Sequence, residues 1–349
     1  MPDKKILMGG NIAIAEGAIL AGCHAYFGYP ITPQNEILEH MSKRMSEEGR
    51  VFVQTESELA AINMVYGAAA SGCRAMTSTS SPGFSLQQEG ISYMSGSELP
   101  GVIVNVMRGG PGLGNIGGAQ GDYFQATKGG GHGDYKVITL APASVQEMMD
   151  LTMLAFDLAD KYRNPVIVLA DGFLGQAMEP VVIRKAVTAL PEKKWAVSGT
   201  KGRQKNIINS FEMDPAAFPG RVKVLLDKFD RMQKDEVRFE DINLEDASIA
   251  LIAYGSASRA ALTAMNLARS KGIKVGLLRP VTLFPFPYNA IKKLANKIDR
   301  FIVAELSAGQ LIEDVRIAAG TEMKIDLVAR YGGAPMTAED IIEAIEKAM

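Results

Sequence analysis

Residues 51–83 constrain the fold most, because strand, helix, strand and glycine-turn patterns follow one another there without a break. Residues 51–54 are short and apolar, which predicts a buried strand, and residues 74–79 predict a second strand. Between them, Thr55 and Glu58 have the T-x-x-E spacing of a capping box at the start of a helix. The segment therefore predicts a β-α-β unit with a carboxylate at the mouth of its helix. Capping of a backbone N–H is a complete explanation of Glu58, and a chemical role is the alternative.

Length and composition indicate a globular protein with a large core. The chain has 349 residues, of which 47% are hydrophobic and 22% charged, and this length predicts two or three domains. A formal net charge of -2, with both signs spread along the chain, argues against nucleic acid as a partner. No uncharged apolar run reaches the roughly 18 residues that span a bilayer, and the first residues lack the apolar segment of a signal peptide. A cytoplasmic location is therefore expected.

The two cysteines and three histidines do not form a metal-binding pattern. No CxxC or HxxxH spacing occurs, so neither an iron–sulfur cluster nor a structural zinc site is expected on this chain. A disulfide between Cys23 and Cys73 is not expected in a reducing compartment. Any redox metal would have to come from a partner.

Strand and helix patterns alternate along most of the chain, which predicts an α/β fold with parallel sheets. In the first part, the predicted strands are residues 6–8, 25–28, 51–54, 74–79, 101–107, 136–140 and 165–170. In the last part, they are residues 249–253, 274–278, 301–304 and 325–328. The pattern is looser between these parts. We therefore predict a first domain at 1–185, a connecting region at 186–245 and a smaller second domain at 246–349.

The sequence Gly28-Tyr-Pro-Ile-Thr-Pro33 follows one predicted strand and leads into a helix. Thr32 suits the N-cap position of that helix, with Pro33 at the first helical position. Two prolines around one hydroxyl also make a rigid loop at the edge where open α/β sheets bind ligands. Both interpretations of Thr32 stay open. In the preceding helix, Asn11 is the predicted N-cap residue, and Ser144 is the predicted N-cap residue of a later helix that ends at Tyr162.

Arg108 ends the strongly β-prone strand at residues 101–107. A guanidinium at the end of a buried strand is costly unless it meets an anion. An ion pair within the fold would satisfy Arg108, and so would a substrate anion.

Residues 109–133 contain eleven glycines in twenty-five positions and include a GxGxxG string at 112–117. That string could indicate a nicotinamide dinucleotide site, but the fingerprint needs its third glycine to open a helix, and here the glycine-rich run continues. We therefore expect an irregular loop that closes over a ligand. His132 is a candidate for proton transfer, with an ordinary hydrogen-bonded loop histidine as the alternative.

Several sequence blocks together resemble the alpha subunit of the 2-oxoacid:ferredoxin oxidoreductases. They are Gly28-Tyr-Pro-Ile-Thr-Pro33, SELAAINMVYGAAASG around Glu58, Ser80-Ser-Pro-Gly-Phe84, Pro100 to Arg108, Arg279 to Pro287 and Glu305-Leu-Ser-Ala-Gly-Gln310. The resemblance covers essentially the whole chain. It implies a pyrimidine-type thiamine-diphosphate-binding domain, followed by a smaller domain that resembles the C-terminal domain of transketolase. Details such as Tyr123-Phe-Gln-Ala-Thr-Lys128 are similar to the branch of the family that acts on 2-ketoisovalerate.

The resemblance implies a role for each candidate side chain. Glu58 matches the acid that hydrogen-bonds the aminopyrimidine ring of thiamine diphosphate. Thr32 matches the hydroxyl beside the substrate, and Arg108 the guanidinium that holds the oxoacid carboxylate. The implied cofactor contacts besides Glu58 are Pro30, Ile31, Ser81, Pro82 and Gly83.

The resemblance also implies partner subunits. The family holds the cofactor diphosphate through Mg2+ with a GDG-type motif, and this sequence contains none. A beta subunit is therefore expected to supply the diphosphate site, Mg2+ and an iron–sulfur cluster, with a gamma subunit and a ferredoxin-like delta subunit completing the complex. The implied reaction converts a 2-oxoacid, coenzyme A and oxidised ferredoxin to acyl-CoA, CO2 and reduced ferredoxin.

The substrate tail is expected to be branched and aliphatic. Between residues 116 and 127 the apolar side chains available to line a pocket are Ile116, Tyr123 and Phe124, and no Lys or Arg appears from residue 109 until Lys128. A second carboxylate, as in 2-oxoglutarate, would need a cation, which Lys128 or a partner could supply. The alternatives are a pyruvate or 2-oxoglutarate enzyme of the same family, a nicotinamide-dependent dehydrogenase, and a non-catalytic assembly subunit.

Overall fold

The computed structural model describes residues 5–349. Its strands are β1 (Lys5–Gly9), β2 (Ala25–Gly28), β3 (Val51–Gln54), β4 (Ala75–Thr79), β5 (Gly101–Met107), β6 (Ile138–Leu140), β7 (Pro165–Asp171), β8 (Met178–Val182), β9 (Phe239–Ile242), β10 (Ile249–Ile252), β11 (Val275–Pro280), β12 (Thr282–Phe284), β13 (Arg300–Glu305) and β14 (Lys324–Ala329). Its helices are α1 (Gly10–Leu20), α2 (Asn35–Glu47), α3 (Glu58–Ala70), α4 (Ser81–Gly96), α5 (Tyr123–Thr127), α6 (Val145–Tyr162), α7 (Gly172–Gln176), α8 (Phe218–Asp235), α9 (Gly255–Ser270), α10 (Tyr288–Ala295), α11 (Leu311–Ala319) and α12 (Ala338–Ala348). None of the helices in this part of the chain has both the length and the apolar character that crossing a membrane requires.

A seven-stranded sheet forms the centre of the first domain, in the order β12-β6-β7-β5-β4-β2-β3. Its strands run parallel except for β12, which is antiparallel to β6. Every residue of β4, β5 and β7 is buried, as is usual for the inner strands of a parallel sheet. The prediction that β3 is buried is wrong: β3 lies at the edge of the sheet, and Val51 is 52% exposed.

A five-stranded sheet forms the second domain, in the order β14-β13-β10-β11-β9. Its strands are parallel except for β9, which is antiparallel to β11 and comes from the segment predicted to be a connection. The chain passes from β11 in this sheet to β12 in the first sheet with only Val281 between the two strands. One short stretch of backbone therefore belongs to both sheets and holds the two domains together.

The capping-box explanation of Glu58 is wrong. Glu58 is the first residue of α3, and Ser57 is the N-cap residue, whose hydroxyl accepts from the Ala60 N–H. The Thr55 hydroxyl instead donates to the carbonyls of Gly28 and Ser57, which ties the end of β3 to the end of β2. The Glu58 carboxylate is therefore not needed as a cap.

Two other predicted caps are also wrong, and one is confirmed. Helix α2 begins at Asn35, so Thr32 lies in the loop before it. Asn11 lies inside α1, where its side chain donates to the Pro33 carbonyl and so fixes that loop. Ser144 caps α6 as predicted, by accepting a backbone N–H in the first turn.

Helix α8 carries a buried lysine. Lys228 is 2% exposed, and its Nζ donates to the Arg163 carbonyl at 3.3 Å and lies 3.6 Å from a Glu98 carboxylate oxygen. Burial outweighs these contacts and lowers the pKa of Lys228 to about 8. The protonated form is therefore destabilising in the folded protein at neutral pH.

We expect Lys228→Met to stabilise the protein at pH 7 by about 1–3 kcal/mol, because the variant buries no ammonium group. An unfolded lysine keeps its proton up to a pH of about 10.4, whereas the folded Lys228 loses its proton near pH 8. The natural protein should therefore gain stability between these pH values, and its Tm should approach that of the variant. Thermal melts from pH 7 to pH 10 measure this. Lys234→Met, at an exposed position of the same helix, is the control, and a Tm difference that is independent of pH would contradict the expectation.

Candidate functional site

Four neighbouring parallel strands of the first sheet have their carboxyl ends on the same side, which we call the carboxyl edge of the sheet. Each of these strands is followed by a candidate residue. Thr32 follows β2, Glu58 follows β3, Ser81 follows β4 and Arg108 follows β5. Because the carboxyl ends of parallel strands meet at the same edge, the sheet brings these residues together. The crevice outside this edge is where open α/β sheets bind ligands.

Glu58 is buried at the mouth of α3 with little internal compensation. Its side chain is 5% exposed, and the one hydrogen bond that it receives from the described residues comes from Thr79 Oγ1 at 3.4 Å. Gly83, in the first turn of α4, permits this position, since a Cβ atom there would lie 2.1 Å from both Glu58 Oε1 and Thr79 Oγ1. A buried carboxylate without partners is costly. Glu58 is therefore free to bind a ligand group that donates or shares a proton.

The beginning of α4 presents two serines to the same edge. Ser81 donates to Asp122 Oδ2 at 2.6 Å, and its Oγ accepts from the Arg108 N–H at 3.1 Å. The Ser80 hydroxyl is buried without a partner in the described structure. Pro82 is the second residue of the helix, where its missing N–H breaks no helical bond. The glycine turn that the sequence predicts at the end of residues 51–83 is therefore the first turn of α4.

The Arg108 guanidinium is held by two backbone carbonyls. Nη1 donates to Thr32 O at 2.9 Å and Nη2 donates to Leu113 O at 3.0 Å, while Nε is buried without a partner in residues 5–349. The side chain is only 8% exposed. The ion pair that the sequence left open is not formed by the described residues. Carbonyls orient the guanidinium but do not neutralise it, so the site is suited to an anion.

The loop between β2 and α2 lines one side of the edge. Pro30 and Thr32 are exposed, and Ile31 is half-buried. The Thr32 hydroxyl lies 3.5 Å from Asn35 Nδ2, at the limit of a hydrogen bond. This hydroxyl is therefore available to a ligand.

The glycine-rich loop at residues 109–133 is fastened to the second domain. Beyond Gly117 it stays irregular until the short helix α5, which confirms that the GxGxxG string does not open a helix. The loop predicted to close over a ligand is held at several points along its length, and His132 is exposed near its end. Its bonds to the second domain join Asn115 to Gly332, Gln120 to Tyr254 and Leu306, Gly121 and Phe124 to Gln310, and Tyr123 and Lys128 to Asp314.

The predicted pocket lining is wrong in one part. Tyr123 is fully buried and donates to Asp314 Oδ2 at 2.6 Å, so it does not line an open pocket. Phe124 is half-buried, and Ile116 is exposed. Lys128 Nζ donates to the same carboxylate at 2.5 Å, which holds this cation against α11.

Sequence reasoning missed Asp122 and Asp314. Asp122 and Lys128 are the charged residues between Gly109 and Gly131, and this was the one available signal that the loop makes polar contacts. Asp314 had no signal, because its partners are distant in sequence. Both cysteines are free thiols, as predicted. Within residues 5–349, no three His, Cys, Asp or Glu side chains are grouped so that they could hold a metal ion.

Two family models match nearly all of the chain. Residues 16–245 match the pyruvate flavodoxin/ferredoxin oxidoreductase, thiamine diphosphate-binding model. Residues 247–341 match core domain II of pyruvate:ferredoxin oxidoreductase.

Similar proteins and structures agree with these models. The chain is 53% identical to ketoisovalerate oxidoreductase subunit VorB of Methanothermobacter thermautotrophicus over 97% of this chain and 96% of that protein. It is 36% identical to 2-oxoglutarate synthase subunit KorA of the same organism, over 97% of each chain. The 2-oxoglutarate:ferredoxin oxidoreductase of Magnetococcus marinus, solved with 2-oxoglutarate, coenzyme A and succinyl-CoA bound, superposes with a TM-score of 0.91 at 29% identity. That match covers 99% of this chain and 65% of the other, so this chain spans less than two thirds of the solved one.

We expect Gly83→Ala to lower the free energy of unfolding by about 1–3 kcal/mol, because the added methyl group would force Glu58 and Thr79 apart. Gly67→Ala on the neighbouring helix α3 is the matched control, since a Cβ atom there would meet nothing within 4 Å. The control should be neutral or stabilising by up to about 1 kcal/mol, as alanine favours a helix over glycine. Denaturant unfolding measures both variants, and equal effects would contradict the proposed close approach.

Proposed function

The chain belongs to the thiamine-diphosphate-binding family of 2-oxoacid:ferredoxin oxidoreductases, and from this premise we propose that it is the alpha subunit of an enzyme that oxidatively decarboxylates 2-ketoisovalerate. The proposed reaction consumes coenzyme A and oxidised ferredoxin and yields acyl-CoA, CO2 and reduced ferredoxin, in the cytoplasm where coenzyme A is available. The observation that carries the proposal is the buried carboxylate of Glu58, which receives one long hydrogen bond. It lies at the same edge of the sheet as Arg108, whose guanidinium has no anion partner in the described structure.

The residues at this edge fit thiamine diphosphate. Glu58 has a carboxylate oxygen available to bond the aminopyrimidine ring and to share a proton with it, and the lack of a side chain at Gly83 leaves room for the carboxylate in this position. When bound, the cofactor supplies the carbanion-stabilising centre that decarboxylation of a 2-oxoacid needs. The residues proposed to contact it besides Glu58 are Pro30, Ile31, Ser81, Pro82 and Gly83.

Arg108 is proposed to bind the oxoacid carboxylate. Its two terminal nitrogens are oriented by the carbonyls of Thr32 and Leu113, and its buried Nε still lacks an acceptor. A guanidinium has more donors than these two bonds use, so a carboxylate can bind in addition. Thr32, whose carbonyl accepts from this guanidinium, can donate a hydrogen bond from its hydroxyl to the substrate.

Partner subunits are proposed to complete the site. Helices α3 and α4 pack closely, since a Cβ atom on Gly90 would lie 2.6 Å from the Ile62 side chain. Apolar side chains are exposed on both helices: Leu59, Met64, Leu86 and Tyr93. Such a surface beside a binding site suits a protein partner. We assign this surface to a beta subunit that brings Mg2+, the diphosphate site and an iron–sulfur cluster, with gamma and ferredoxin-like delta subunits beyond it.

The substrate tail is proposed to meet apolar side chains. Leu113 and Ile116 are exposed in the loop that binds the Arg108 guanidinium, and both are aliphatic. Lys128, the cation that could have met a second carboxylate, is bound to Asp314. A branched aliphatic tail therefore suits the described residues better than the tail of 2-oxoglutarate.

We expect Glu58→Gln to lower kcat of the assembled complex by about a hundredfold or more, because the amide cannot take part in acid–base chemistry. Stability should not fall, since Ser57 and not Glu58 caps the helix. Steady-state kinetics and thermal melts measure the two effects. Glu56→Gln, at an exposed position two residues earlier, is the matched control, and a Glu58→Gln complex with full activity would refute the catalytic role.

We expect Arg108→Lys to raise KM for 2-ketoisovalerate by about tenfold, because a point charge replaces a fork that can bind both carboxylate oxygens. KM for coenzyme A should not change, and it serves as the internal control. Initial rates with each substrate varied in turn measure the two constants. Unchanged oxoacid kinetics would show that Arg108 is only a structural residue.

We expect kcat/KM for 2-ketoisovalerate to exceed that for 2-oxoglutarate by at least about tenfold, a discrimination of about 1.4 kcal/mol that an unpaired buried carboxylate easily supplies. Parallel assays of the reconstituted complex with 2-ketoisovalerate, pyruvate and 2-oxoglutarate measure the preference. A preference for 2-oxoglutarate would overturn the substrate assignment and leave the proposed cofactor chemistry unaffected.

A further inference from the structure

Asp122 is a half-buried acid at the site that has no part in the proposed reaction. It lies within the glycine-rich loop, directly before α5. Its Oδ2 accepts from the Ser81 hydroxyl at 2.6 Å and from Asn105 Nδ2 at 2.8 Å. Asn105 is fully buried on β5. One carboxylate oxygen therefore joins the loop, the first turn of α4 and β5, the central strand of the first sheet.

The short bond to Asp122 decides where the Ser81 hydroxyl points. Ser81 has one proton and two acceptors within reach, the Asp122 carboxylate at 2.6 Å and the Arg108 carbonyl at 3.4 Å. The carboxylate is the closer and stronger acceptor, so it takes the proton. The Ser81 oxygen then presents a lone pair to the Arg108 N–H, which lies 3.1 Å away.

The link between Asp122 and Arg108 runs through the backbone and not through an ion pair. The bonds of the guanidinium go to the Thr32 and Leu113 carbonyls, and those of Asp122 come from Ser81 and Asn105. Asp122 therefore acts, through the Ser81 hydroxyl, on the backbone nitrogen of Arg108 at the end of β5. A shift of that point would move the whole guanidinium relative to its two carbonyls.

The same bonds offset part of the cost of burying the acid. Burial outweighs the hydrogen bonds from Ser81 and Asn105, so the pKa of Asp122 is raised above its ordinary value. An apolar residue would fill this position without the desolvation cost, but it would leave Asn105 and Ser81 without their acceptor.

We propose that Asp122 is a positioning residue, which fixes Arg108 through the Ser81 hydroxyl and thereby sets the affinity of the site for the oxoacid carboxylate. This inference rests on the proposed function, in which Arg108 binds that carboxylate. It assigns to the glycine-rich loop a task in substrate binding that does not require the loop to move.

The test compares Asp122→Ala with Asp122→Asn in the assembled complex. The alanine variant removes the acceptor and should raise KM for 2-ketoisovalerate by about tenfold, with KM for coenzyme A unchanged, because small displacements of a binding group cost this much. The asparagine variant keeps an acceptor oxygen and should stay within about threefold of the natural complex. Isothermal titration with 3-methylbutanoate, which keeps the carboxylate and the branched tail, should show the same loss of affinity in the alanine variant.

A background that lacks the arginine separates this inference from the proposed function. In Arg108→Ala, adding Asp122→Ala should have no further effect on oxoacid KM, since the two act on one interaction. A full additional effect there would overturn the inference, and so would equal changes in both KM values. If Arg108→Ala itself leaves oxoacid KM unchanged, the proposed role of Arg108 fails first.

A second variant keeps the test decisive if Asp122→Ala does not assemble. Ser81→Ala removes the hydroxyl that connects Asp122 to Arg108 and leaves the carboxylate in place. At saturating thiamine diphosphate it should raise oxoacid KM and leave KM for coenzyme A unchanged. An unchanged oxoacid KM in this variant would overturn the inference.

Discussion

The close approach of Glu58 to the first turn of α4 determines the geometry of the rest of the site. Helix α4 can begin against the carboxylate only because Gly83 has no side chain, since a Cβ atom would lie 2.1 Å from Glu58 Oε1. That start places Ser81 within 3.1 Å of the backbone nitrogen of Arg108. The acid, the serine and the arginine follow three different strands, so one contact between neighbouring elements fixes their relative positions. A larger residue at position 83 would disturb all three.

The second domain supports the site from outside. Asp314 is 1% exposed and accepts from Tyr123 at 2.6 Å, Tyr288 at 2.5 Å and Lys128 at 2.5 Å. Burial first, and then the Asp314 charge, raises the pKa of Tyr123 well above its ordinary value, so the phenol keeps its proton and remains a donor. The backbone also connects the two sheets directly, through Val281 between β11 and β12. Together with this connection, the bonds to Asp314 make the loop beside Arg108 part of the interface between the domains. The two domains therefore act as one support for the binding edge.

The sequence predicts the bounds of the strands better than it predicts their exposure or the residues that cap the neighbouring helices. β2, β3 and β5 begin and end where predicted, because each is a short apolar run with clear boundaries. The exposure of β3 depends on strand order, which no local pattern contains. Thr55 and Ser57 are equally good cap residues by composition, and only the path of the backbone from β2 selects Ser57. The three catalytic candidates were found from their positions at strand ends and helix starts, and the family resemblance supplied their roles, whereas Asp122 was missed because its partners lie 17 and 41 residues away.

The unpaired charges at the edge explain why such a chain depends on ligands and partners. Glu58 and Arg108 are both buried, yet in the described structure neither is neutralised by the other or by a third residue. Proteins keep costly arrangements of this kind where function requires them. A donor from the cofactor ring would compensate Glu58, and a substrate carboxylate would compensate Arg108. In the proposed function both ligands bind the folded state, so each would stabilise it by mass action, and the same two residues would couple the stability of the subunit to its occupancy.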